Sequence, residues 1–257
     1  MALSSRKIVR YVGAFARETA VIGVLYGLWQ LIGELAIHDK DGAYARARWI
    51  ERFEHGLPLP SEHTTQQMVL QFKLLIQGAN LYYAAMHMTT MLAFLIWLFI
   101  RHREHYRPVR QVMAWTTLGC LLIQMVPVAP PRMFPSIVKD TGLLYDQSVY
   151  SSGFAVDQLS AMPSVHVAWA VLIGWYVWRI SPSRWRWIGP VHAALMCWIV
   201  VITGNHWWLD GIVAVLVLVA CAWAVFGVRV AWRTARERLS AGSRDATEPQ
   251  LPVLSAK

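Results

Sequence analysis

Charge is what this 257-residue chain has little of: Asp, Glu, Lys and Arg make up 15% of it, against roughly a quarter in an average soluble domain. That shortage, with 56% hydrophobic residues and a mean hydropathy of +0.37, excludes an ordinary soluble globule. It also excludes a disordered chain, which needs low hydrophobicity and high net charge. Cysteine is scarce too. Cys120, Cys197 and Cys221 lie in apolar runs without paired spacing, which excludes a disulfide framework or a zinc cluster and leaves them as small core residues. Acidic residues number 15 against 24 basic ones, and the resulting charge of +9 must be placed along the chain before it implies any partner. Internal repeats and low-complexity blocks are absent from the sequence.

What is present is apolar length. A spanning helix needs about 20 mostly apolar residues, and six runs approach that: 19–37, 81–100, 112–128, 165–180, 188–203 and 212–228. The first has no small-residue cleavage site after it and reads as an uncleaved span. Lys and Arg set the orientation. With the N-terminus inside, the inner segments hold 17 of the 24 and the outer segments 7. The sequence therefore predicts an all-α, polytopic membrane protein, a bundle of six transmembrane helices with both termini cytoplasmic. Its parts are an N-terminal segment 1–18, a six-span domain 19–228, and a basic, partly disordered tail 229–257. The positive charge is then a topology signal that meets lipid headgroups, and no nucleic-acid partner is expected.

The outer side carries the unusual sequence. In residues 42–55, Ala45, Trp49 and Phe53 recur at helical spacing among Arg46, Arg48, Arg52 and Glu54. That pattern suits a helix lying in the headgroup plane, with an ordinary loop turn as the alternative. Leu57-Pro58-Leu59-Pro60 breaks it, and a second amphipathic stretch leads into the second span. The loop 129–162 is long enough to be a functional lid.

Ionisable groups at the ends of membrane helices, facing a bundle interior, are candidates for function because a charge at the bilayer centre costs roughly 2.5–3.5 kcal/mol. Three clusters qualify. Ala161-Met162-Pro163-Ser164-Val165-His166 opens the fourth span. Proline suits a first helical turn, and the backbone N–H groups of such a turn form an anion cradle. Alone, the segment is equally a helix cap with one satisfied histidine. His206 and Asp210, between the fifth and sixth spans, are four apart and share a helix face. A carboxylate that accepts the Nδ1 hydrogen of an imidazole leaves Nε2 free as nucleophile or base; Asp210 could equally be a charge favouring a helix start. Pro127, Pro130 and Pro131 stop the third span and hold Arg132, a residue suited to bidentate phosphate contact or to plain headgroup contact. The topology puts all three clusters on one membrane face.

These residues resemble the type 2 phosphatidic acid phosphatase superfamily, and more closely its branch related to inositol phosphorylceramide synthase. Pro163-Ser164-Val165-His166 looks like the superfamily's P-S-x-H motif, and His206 to Asp210 like the H-x-x-x-D ending its third motif. Pro130-Pro131-Arg132, and Asn80-Leu81-Tyr82-Tyr83 with His87, look like features of the synthase-related branch. The likeness covers about residues 50 to 225.

The resemblance implies a lipid phosphatase or phosphotransferase. His206 attacks phosphorus to give a phosphohistidine, Asp210 orients and balances it, and His166 protonates the departing oxygen. Arg132, Ser164, Asn205, His87 and Tyr83 are the residues expected to hold the phosphate. Neither a metal nor a cofactor is implied. The substrate is a phospholipid, isoprenoid or sphingolipid phosphate at the outer face, with water, inositol or another alcohol as acceptor. The family's first motif, K-x-x-x-x-x-x-R-P, is not intact: Arg107-Pro108 mimics its end, but position 100 is Ile and the topology puts Arg107 on the cytoplasmic side. The Arg usual six residues before the nucleophile is Val200. Arg132 must replace those cations, aided by His87 or Lys73. The competing readings are a lipid transporter, which needs polar groups near mid-membrane, and a catalytically silent scaffold of the same fold.

Overall fold

A computed structural model of the protein describes residues 20, 23–32, 39–148 and 158–245. Among these, all regular structure is helical, with one isolated bridge between Val128 and Ser160. In chain order the helices are α1 (Gly23–Ile32), α2 (Lys40–Glu54), α3 (Glu62–Leu70), α4 (Lys73–Arg101), α5 (Arg103–Gln124), α6 (Thr141–Leu144), α7 (Val165–Ile180), α8 (Ile188–Ile202) and α9 (Trp208–Asp245). Three helical segments are long and apolar enough to cross a membrane: α4, Arg184–Ile202 (α8 with the turn before it), and Trp208–Val228 of α9. α1 and α7 are shorter apolar helices. α5 is 22 residues long, but its first turns carry Arg103, Glu104, Arg107 and Arg110.

Sequence and structure agree on α7 and α8 almost to the residue. The second expected span, 81–100, begins instead at Lys73, because Leu74, Leu75 and Ile76 continue its apolar run. The third ends at Gln124, just short of Pro127. Of the first expected span, residues 19, 21–22 and 33–37 lie outside the described residues. Of the tail 229–257, expected to be partly disordered, residues 229–245 are helical; its Arg, Ala, Glu and Leu residues are good helix formers. Residues 246–257 lie outside the described residues.

α4, α5, α7, α8 and α9 pack together through apolar side chains. Ile76, Ala79, Tyr83, Met196, Ile199 and Val200 form one cluster with Val167 and Ala170, and Phe94, Leu98, Val109 and Val112 form a second with Leu172 and Leu218. α7 and α8 meet at Gly174 and Gly189. A Cβ on Gly174 would stand 2.8 Å from the Gly189 carbonyl, so only glycine allows that approach. Outward faces are apolar as well. Leu81, Ile96, Val191, Leu216 and Trp223 are exposed, the surface of a chain solvated by lipid rather than water.

α2 packs Ala43, Ala47 and Ile50 on Val128, Ala129 and Trp207. The apolar stripe expected for a helix in the headgroup plane faces outward: Trp49 and Phe53 are exposed and stacked on one another at 5.3 Å. Glu54, expected among the polar residues of that helix, is buried. The loop 129–162 is no free lid over its described part. Arg132 donates its backbone N–H to Gly204, Gln66 bonds both backbone groups of Lys139, and Asn80 exchanges two bonds with Thr141, tying residues 131–148 to α3, α4 and the end of α8.

Candidate active site

The site forms where the start of α7, the turn from α8 into α9, and the chain following α5 converge. Each is fixed by local chemistry. Ser164 caps α7, its Oγ accepting from the Val167 N–H at 3.4 Å. Pro163 precedes that cap, joined to Met162 by a cis peptide bond, and so stands outside the first helical turn where the sequence placed it. Past Thr203, the C-cap of α8, Gly204 takes φ +73°, and the N–H groups of Asn205 and His206 both reach back to the Val200 carbonyl. An L side chain at Gly204 would also meet Arg132 Cβ at 3.1 Å, so the glycine serves both turn and contact.

His206 is 5% exposed. Its Nδ1 lies 2.7 Å from the Ala161 carbonyl oxygen and 3.2 Å from Asp210 Oδ2, so the Nδ1 hydrogen is donated there and Nε2 keeps its lone pair. The sequence pointed to the carboxylate; the shorter contact is to a backbone oxygen that no side-chain pattern reveals. Asp210, fully buried, also accepts the Trp207 N–H at 2.8 Å on Oδ2, and its carbonyl accepts the Ser164 N–H at 3.0 Å. The start of α9 is thereby tied to the cap of α7. Burial, with the Arg132 charge adding to it, lowers the His206 imidazole to about 4 against the pull of the Ala161 carbonyl. The ring is neutral at physiological pH.

The rings of His166 and His206 are 5.9 Å apart, tilted by 53°. Tyr83 stacks on His166 at 4.4 Å. The His87 ring lies 4.0 Å from that of His166 and 4.3 Å from that of Trp169. Lys73, at the first turn of α4, lies over the Tyr145 ring, its Nζ 5.9 Å from the ring centre. Ser164 is fully buried, its Oγ accepting the cap bond.

Arg132 is 7% exposed. Its Nη1 donates to Asn205 Oδ1 at 3.2 Å, while Nε lies 3.6 Å from Asp140 Oδ2. Asn205 in turn donates to Thr203 Oγ1 at 2.9 Å, which makes it a holder of the guanidinium. A small cavity of ≈ 20 Å³ opens here, lined by Asn80, Tyr83, Arg132, Asp140, Thr203 and Asn205 among others. Asp140 and Thr203 were not singled out in the sequence, since a lone Asp in a loop and a lone Thr at a helix end carry no signal. Asn80 had a place only through the branch resemblance. The structure shows why it matters: it donates to the Thr141 carbonyl and to Gln147 Oε1, and accepts from Thr141 Oγ1, holding α6 against α4.

One group among the described residues has the spacing to hold a metal, and the sequence reading did not find it. His102, Glu104 and His105 place their donor atoms within 4.8 Å of one another, in the turn at the far end of α4 from His206. They form no part of the arrangement around Arg132.

A guanidinium, two imidazoles with ring centres 5.9 Å apart and a buried carboxylate are thus gathered at one end of the helix bundle. No curated protein and no solved structure matches the chain. The PAP2 superfamily model matches residues 48–225, more than half of the chain and every residue just described around the cavity, and the chain belongs to that superfamily.

Proposed function

We propose that the protein is a six-span lipid phosphatase or phosphotransferase working at the extracytoplasmic membrane face, with His206 as nucleophile. Membership of the PAP2 superfamily suggests phosphatase or phosphotransferase chemistry. The observation that carries the finer reading is the tethering of His206 Nδ1 by Ala161 and Asp210, which leaves Nε2 as the free nitrogen. The 17-to-7 split of Lys and Arg supports the side of the membrane.

In this reading the Arg132 guanidinium takes two phosphoryl oxygens, and Asn205 holds its orientation. His206 Nε2 attacks phosphorus in line, forming a P–N bond as the P–O bond to the lipid or alcohol breaks. Protonated His166 gives its proton to the departing oxygen. Asp210 balances the positive charge that the His206 ring acquires, while the Nδ1 hydrogen stays on its acceptors. Water or an alcohol then attacks phosphorus and gives its proton to His166, the P–N bond breaks, and both rings return to their starting states. Positioning and charge stabilisation supply most of the acceleration. Hydrolysis and transfer use the same residues, and Pro130-Pro131-Arg132 with Asn80 and Tyr83 supports the synthase-related branch, whose acceptor is inositol.

The test is phosphate release from a panel of phosphatidic acid, isoprenoid diphosphate and sphingolipid phosphates, with a chelator, with and without inositol, read by mass spectrometry. At least one substrate is expected to turn over, and His206→Ala to stop it without loss of the folded protein. Strict dependence on a divalent ion, or retained turnover in the variant, rejects the scheme.

A further inference from the structure

Two glutamates sit behind this site with no part in the scheme above. Glu54, at the end of α2, is 5% exposed and Glu62, at the start of α3, is 3% exposed. Their carboxyls are within hydrogen-bonding range of one another and feel the charge of Asp210. Glu54 Oε2 and Glu62 Oε1 meet no donor among the described residues. Two ionised carboxylates are acceptors only and repel each other in an apolar setting. A single proton between them turns the repulsion into a hydrogen bond and satisfies both oxygens. The other oxygen of Glu54 accepts the Leu209 N–H at 2.5 Å, one residue before Asp210 in the first turn of α9.

We propose that Glu54 and Glu62 share one proton and act as a positioning pair, clamping the start of α9 so that Asp210 holds His206 in line. The idea rests on the reading of His206 and Asp210 as catalytic. The chain of contacts is continuous. The Glu62 carboxyl holds that of Glu54, Glu54 holds the Leu209 N–H, and the same turn carries Asp210, whose Oδ2 meets His206 Nδ1. Sharing the proton limits the pair to one negative charge beside a third buried carboxyl, where two would push Asp210 away from its hydrogen bonds. Burial and the neighbouring Glu62 carboxyl raise Glu54 to about 9, which keeps the proton in place at neutral pH.

The experiment compares wild type, E54Q, E62Q and E54A as full-length protein in lipid nanodiscs. A glutamine donates as the protonated acid does and still accepts from Leu209, so E54Q preserves the clamp while removing the shared proton. Infrared spectra at neutral pH are expected to show a protonated-carboxyl carbonyl stretch in wild type that both E54Q and E62Q lose. Hydrogen exchange at residues 207–212 is expected to quicken in E54A and to match wild type in E54Q. On whichever lipid phosphate wild type consumes, kcat is expected to fall about 10- to 100-fold in E54A with KM little changed, and to recover in E54Q. If E54A does not fold, E54D, one methylene short of Leu209, takes its place. A wild-type spectrum without the band, a band surviving both glutamine variants, or equal exchange in E54A and E54Q overturns the proposal. Wild type inert on every lipid phosphate, with band and exchange as expected, would instead overturn the enzymatic reading and leave the clamp standing.

Discussion

Replacing Asp140 by asparagine should tighten phosphate binding, because that carboxylate occupies the side of Arg132 an incoming anion needs. Asp140 Oδ2 stands 3.6 Å from Arg132 Nε, with the arginine side chain 4% exposed and the aspartate 21%. At an effective dielectric of about 20 the gross attraction is about 5 kcal/mol. Desolvation of the guanidinium and water at the partly exposed carboxylate offset most of it, so about 1–2 kcal/mol remains for a phosphate to overcome. Asparagine keeps the other duty of this residue, since Asp140 Oδ1 caps α6 through the Leu143 N–H at 3.0 Å and asparagine caps equally well. The expected result is inhibition by inorganic phosphate or vanadate strengthened about 5- to 30-fold in D140N. Phosphate release by wild type and variant at matched substrate, titrated with each anion, measures it. Unchanged or weaker inhibition would refute the reasoning and make Asp140 a partner that Arg132 needs in order to receive phosphate.

Three further outcomes follow from the same geometry. His166→Ala should slow alkyl phosphate substrates far more than p-nitrophenyl phosphate, whose leaving group needs no proton; equal losses would remove His166 from the acid role. Gly204→Ala should cost about 1–2 kcal/mol for its left-handed φ, with more from the Arg132 contact, read as a lower melting temperature and a raised KM. Glu54 binds a proton in the folded state that the unfolded chain releases near pH 4.5, and it faces Glu62 from α3 and Asp210 from α9. Stability should therefore fall as pH rises from about 5 toward about 9, by up to about 1.4 kcal/mol per unit, and E54Q should flatten the curve. A wild-type melting temperature that is level or rising across that range would contradict it.

Much of the helical layout was legible because apolar length and the positions of proline and glycine are local properties. α7 and α8 match the apolar runs 165–180 and 188–203 to within a residue. The site was legible only as types of residue. His206 and Asp210 are four apart on one turn, so their contact follows from helical spacing alone. Arg132 meets Asn205 across 73 positions, and nothing in either neighbourhood announces the pair. His87 on α4 likewise packs against His166 on α7, a contact between helices far apart in sequence.

By itself, the sequence determined that this chain is helical and apolar over most of its length, and which imidazoles, carboxylate and guanidinium were worth watching. Burial hydrophobicity, helix periodicity and the chemistry of side chains are written residue by residue. Only the tertiary structure decided that the Ala161 carbonyl shares the Nδ1 hydrogen, that Asp140 already stands against Arg132, and that Glu54 turns inward to Glu62. Each of those depends on which helix faces which, and that is set by packing between segments tens of residues apart, where no local pattern reaches.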